Sequence, residues 1–110
     1  MNISFKYKKL QKIANDDKLM VKEFGSKRSK KFQLRLQQIL AADSLEDLRS
    51  TPGKFHELTG DRKGQWACSL DEPYRLIFEP HENPIPTNEH GKYIWVEIKG
   101  VEMLEIVDYH

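Results

Sequence analysis

The sequence holds one cysteine, Cys68, among 110 residues. A lone thiol makes no internal disulfide, so a disulfide-stapled scaffold is excluded and a reducing cytoplasm is the expected compartment. No apolar run approaches the ~18 residues needed to cross a bilayer. The opening stretch MNISFKYKKLQKI lacks the apolar segment of a secretory signal, and no membrane partner is expected. Repeats and low-complexity stretches are missing too, and a single domain over residues 1–110 is expected. His81 and His90 lie in a proline-rich stretch at a spacing that matches no metal motif, so neither a metal nor a cofactor is expected. Cys68 itself, in WACSL, reads as an inward-facing strand position rather than a nucleophile.

Charge is plentiful, at 32% of residues, and it is unevenly placed. Residues 1–40 carry eleven Lys or Arg against three acidic residues, a net +8. The remainder carries seven against fourteen, a net −7. Such a dipolar chain suits a polyanion on one side and a different partner on the other; a solvated lysine-rich helix face explains the first half equally well.

Ile3 and Phe5 alternate with polar residues and predict a short first strand. Leu10, Ile13 and Ala14, then Leu19, Met20, Val21 and Phe24, fall at helical spacing, with the NDD at 15–17 placed to cap a second helix. Gly25 stops that helix and Ser26 is placed to cap the next. Over 27–42, Phe32, Leu36, Ile39 and Leu40 form one apolar stripe opposite a Lys/Arg face. DSLEDLRS reads as a further helical turn, with Ser44 and Asp47 in the positions of a capping box. After the turn TPGK, the runs FHEL, GQWACSL and YRLIFEP read as successive strands. PHENPIPTNEHGK reads as an exposed loop. YIWVEIKGVEMLEIVDYH returns to period two, with a bulge expected at Gly100. The fold class is therefore α+β: N-terminal helices packed on an antiparallel sheet of about four strands.

Two histidines fall in strands, and the last strand ends in VDYH. By alternation, Leu104, Ile106, Asp108 and His110 share one side of it, while Val107 and Tyr109 share the other. An apolar row that runs into an acid and an imidazole places titratable groups at the rim of a core, where a histidine near neutral pKa exchanges protons. His56 alone reads as either a structural or a catalytic residue. Arg75 projects from one face of its strand and needs a buried acid or a ligand phosphate. The turn TGDRKGQW presents Arg62 and Lys63 between glycines, as a charged hairpin tip or as a phosphate contact.

FHELTGDRKGQWACSLDEPYRLIFEP, followed by VDYH, closely resembles the HigB-like toxins of the RelE/ParE superfamily. The resemblance covers residues 55–80 and the C-terminal segment, and the helices only in layout. It implies a RelE-like fold and a toxin of a type II toxin–antitoxin pair. The implied activity is ribosome-dependent, metal-independent cleavage of messenger RNA by attack of its own 2′-hydroxyl, which inhibits translation. It implies catalytic roles for His56, Asp108, Tyr109 and His110, and phosphate or RNA binding by Arg75, Arg62 and Lys63. The implied partners are a cognate helix-turn-helix antitoxin, the ribosome and messenger RNA. Many relatives carry lysine where this chain has Thr59, so Lys63, Arg62 or Lys54 must take that role or activity is weaker. Two alternatives stand beside this reading: a ParE-like gyrase poison, which has no use for the terminal DYH, and a non-catalytic module that binds only antitoxin or RNA. Trp66 and Trp95 are candidates for base stacking in that last case, although strand tryptophans are usually core residues.

Overall fold

The first strand and the last strand of this chain are neighbours. In the computed structural model, which describes residues 1–108, β1 (Asn2–Phe5) runs parallel to β5 (Gly100–Asp108), with Asn2 opposite Gly100 and Phe5 opposite Met103. Three antiparallel pairings complete the sheet through β4 (Tyr74–Pro80), β3 (Trp66–Ser69) and β2 (His56–Glu57), in the order β1-β5-β4-β3-β2. The architecture is the α+β class expected from the pattern, with five strands where the meander predicted about four. The extra one is the N-terminal strand, paired at the sheet edge. Tyr109 and His110 lie outside the described residues.

Two helices cover one face. α1 (Lys8–Ala14) buries Leu10 and Ile13. α2 (Asp17–Ala41) begins where the side chain of Asp16 accepts the Leu19 N–H at 3.1 Å, a cap for one of the donors that a helix start leaves unpaired. Gly25 interrupts α2 as its position predicted. Its φ of 82° and ψ of 166° are non-helical, and a positive φ suits glycine because there is no Cβ to clash. The buried Ser29 hydroxyl donates to the Gly25 carbonyl at 2.6 Å, a side-chain bond at the break itself. At the far end, the Met1 ammonium donates to the carbonyls of Ile39, Leu40 and Ala42, placing a cation at the negative pole of the helix.

The main core lies between these helices and the sheet. Phe32 and Ile39 of α2 meet Trp66, Cys68, Leu76, Phe78, Val101 and Met103, most of them without exposed surface. Each such side chain contributes about 1.5–3 kcal/mol on burial. The α2 stripe differs from the expectation at two positions. Leu40 is 57% exposed, whereas Arg35 is buried. The reason is a carbonyl that needs a donor: Arg35 Nε donates to Ser69 O at 2.7 Å, and Nη1 donates to Gln38 Oε1 at 3.0 Å. The guanidinium packs where a Cβ on Gly53 would stand, 2.9 Å from Cζ, and Gly53 has φ 129°. Only glycine fits both the angle and the space.

Three further expectations are corrected. DSLEDLRS is a 3-10 turn at Glu46–Ser50, but Ser44 Oγ is buried without a hydrogen-bond partner among the described residues, so no capping box forms. YIWV is not strand. Its second half begins a 3-10 turn, Trp95–Glu97, which turns Trp95 toward Trp66 at a 5.6 Å centroid separation and leads the buried Ile98 into the core. The bulge of β5 is not at Gly100. Phe78 faces Met103 but Ile77 faces Glu105, so Leu104 is the extra residue. That insertion splits the row expected on one side: Leu104 joins Ala67 and Ile77, while Ile106 packs against the main core. No helix among the described residues is long and apolar enough to cross a membrane.

Candidate active site on the sheet face away from the helices

Residues opposed across a sheet point to the same side, so the register assigns each candidate to a face. His56 faces Ala67, Ala67 faces Ile77, and Ile77 faces Glu105. Two residues along, Ser69 faces Arg75, which faces Val107. His56 and Arg75 therefore stand on one face, the one turned from the helices. Strand spacing and rise put their Cα atoms roughly 12 Å apart, within reach of one nucleotide once the arginine side chain extends. Asp108 faces Tyr74 and belongs by register to the helix-covered side; it is exposed.

His56 is exposed, and its Nδ1 lies 2.7 Å from the Lys54 carbonyl. A carbonyl only accepts, so this contact holds the proton on Nδ1 and leaves the lone pair of the neutral ring on Nε2. The carbonyl is aimed by an unusual backbone. Lys54 has φ 57°, a left-handed conformation uncommon outside glycine, immediately after the left-handed Gly53. Gly53 O in turn accepts from both the amide (2.9 Å) and the hydroxyl (3.1 Å) of Ser69, which fixes the turn to the strand that flanks Arg75.

The expected tip TGDRKG is a 3-10 turn, Gly60–Arg62. Arg62 is committed to the protein: Nη2 donates to Glu105 Oε1 at 2.7 Å and Nη1 to Gln65 Oε1 at 2.9 Å. A groove of about 340 Å³ runs along His56, Thr59, Asp61 and Arg62. Lys63 lies outside it, 5.8 Å from the centroid of the Tyr93 ring. The structure thus brings His56, Arg75 and Arg62 to one face, places Lys63 apart, and sets Asp108 by register on the opposite side.

Arg75 does not point at a buried acid. Its guanidinium donates from Nη1 to Glu72 Oε2 at 3.1 Å and to the Tyr74 carbonyl at 3.2 Å. The second oxygen of Glu72 is 3.8 Å from Lys54 Nζ. Glu72 joins the site although the sequence does not single it out; a glutamate three residues before an arginine across a turn is a readable ion-pair spacing.

Neighbouring groups serve the scaffold. Arg28 pairs with Asp71 at 2.9 Å and lies over the Tyr74 ring at 3.4 Å; the hydrogen bond to Asp71 is the main reason that its pKa is raised. Burial pushes the Cys68 thiol up to about 12, against smaller opposing effects of Arg35 and Arg75. That thiol stays protonated and unreactive at neutral pH. Trp66 and Trp95 are buried core residues, so stacking on a base is not their use. Among the described residues no cluster of three or more His, Cys, Asp or Glu is arranged to hold a metal ion.

The family described as the RelE-like toxin of the type II toxin–antitoxin system HigB matches this chain over residues 3–90. A search of curated proteins gives no match.

Proposed function

The chain belongs to the HigB-like family of RelE-type toxins, and from that premise we propose that it cuts messenger RNA on the ribosome and so arrests translation. The observation that carries this reading is the pinned imidazole of His56, its lone pair on Nε2, on the same sheet face as Arg75. A base and a cation on one face are two of the groups that RNA self-cleavage requires.

In the proposed reaction the 2′-hydroxyl attacks the adjacent phosphorus. A base takes its proton, the P–O5′ bond breaks, and an acid protonates the leaving 5′-oxygen. The products are a 2′,3′-cyclic phosphate and a 5′-hydroxyl, with no co-reactant consumed. His56 serves as one partner in this proton exchange and His110 as the other. Arg75 holds the phosphate as negative charge builds on its oxygens. Tyr109 stacks on a base, and Asp108 acts from the rim of β5. Arg62, tied to Glu105, shapes the groove and adds a positive field rather than a mobile contact. The basic helices face ribosomal RNA, and a cognate antitoxin restrains the toxin in the cytoplasm.

The test maps RNA ends in a translating extract. Wild-type protein is expected to leave new 5′-hydroxyl ends within coding sequence, and His56→Ala to cut about 10²- to 10⁴-fold more slowly with an unchanged unfolding midpoint. Unaltered cutting by both His56→Ala and Arg75→Met overturns the assignment.

A further inference from the structure

We propose that Glu72 is a resident anion in the RNA phosphate subsite, bridging Arg75 and Lys54 until an RNA phosphate displaces it. The inference rests on the ribonuclease reading and names a residue which that reading does not use. A carboxylate and a phosphodiester both present two anionic oxygens a short distance apart. In Glu72 one oxygen sits 3.1 Å from Arg75 Nη1 and the other 3.8 Å from Lys54 Nζ. Two cations on different segments converge on one small anion, which is the arrangement a phosphate takes between an arginine and a lysine.

The surroundings favour exchange. The Arg75 side chain is 18% exposed and held by its strand, so it stays in place. Glu72 is 62% exposed and Lys54 71%, so the carboxylate swings into solvent without leaving a charge buried. The contact at Lys54 is also tied to the imidazole. Lys54 keeps a left-handed backbone, and its carbonyl is the group that pins His56 Nδ1. Non-glycine residues held this way collect at binding sites. One residue therefore joins the displaced anion, the second cation and the proposed base. Lys54 thereby provides the cation that Thr59 lacks.

RNA binding then competes with Glu72. The experiment measures fluorescence anisotropy of a labelled single-stranded RNA with 2′-O-methyl riboses, which binds but is not cut, across a salt series. Glu72→Gln is expected to bind about 2- to 5-fold more tightly, the range of one exposed ion pair, with a steeper salt dependence as phosphate takes over the freed cations. Glu89→Gln makes the same change in net charge at a distant exposed site and is expected to stay within about 1.5-fold, as screening at that distance dictates. Adding Arg75→Met to Glu72→Gln removes the gain. A Glu72→Gln that behaves like Glu89→Gln, or a gain that survives Arg75→Met, overturns the inference. RNA-end mapping separates the two readings. Cleavage with no Glu72 effect sinks the resident anion alone, whereas a Glu72 effect with no cleavage sinks the ribonuclease and keeps the phosphate subsite.

Discussion

The two faces of the sheet are built from the same strands and do opposite work. Among the described residues, seventeen buried side chains form the cluster under the helices, and only Ala67, Ile77 and Leu104 form the cluster on the other side. Phe78 and Arg75, three residues apart on β4, show the contrast: one has no exposed surface, and the other ends in an exposed ion pair. One face carries the stability, and its rigidity lets the other hold cations and an imidazole that gain little from being packed. Charged groups can be concentrated there because their cost is met elsewhere in the fold.

The largest expected break in this comparison comes from the covered face. Phe78→Ala costs about 3–5 kcal/mol of stability, read by urea unfolding, whereas Arg75→Met keeps the stem packed and costs less than about 1 kcal/mol. Equal losses at the two positions would erase the division of labour. Next comes the clamp between α2 and the β3–β4 turn. Arg28→Met leaves Asp71 half-buried without its partner, and a loss of about 1.5–3 kcal/mol is expected. A loss under 0.5 kcal/mol, the order of an exposed ion pair, would make that clamp ornamental.

The smallest effect depends on pH. Cys68 has its pKa raised from 9.0 to about 12 in the folded chain. The unfolded chain therefore releases the thiol proton first, and stability falls as pH rises above 9 toward 12. The slope approaches about 1.4 kcal/mol per pH unit. Comparing urea midpoints at pH 8 and pH 10 for wild type and Cys68→Ala checks this, and the variant is expected to lose that component of the slope.

Local pattern carried the helices and strands well, because caps, breaks and alternation are short-range signals. Asp16 and Gly25 fall where the sequence places a start and a stop, and Trp66 to Ser69 and Tyr74 to Pro80 are strands as read. Pairing between distant strands leaves no local trace, so the parallel partner of β1 was invisible. Arg35 was read as part of a solvated face because its burial answers a carbonyl on another element, Ser69 O. The bulge at Leu104 carries no glycine to betray it, and it overturns the face on which Leu104 was expected. Of the candidate site, His56 and Arg75 share a face as alternation allows, and Arg62 joins them through Glu105. Lys63 does not. The Glu72–Arg75 pair has a legible i,i+3 spacing, whereas the left-handed backbone of Lys54 and its contact with Glu72 do not, since neither a backbone angle nor a pairing between distant segments is written in residue type.

The pairing of the first strand with the last also sets when this molecule becomes finished. Asn2 waits for Gly100, and Phe5 for Met103. During synthesis a nascent chain cannot seal that sheet edge until β5 has emerged, and contacts of such long sequence separation form slowly. Closure of the sheet therefore waits for β5, so β1 and both helices are made well before the edge they help to build is complete.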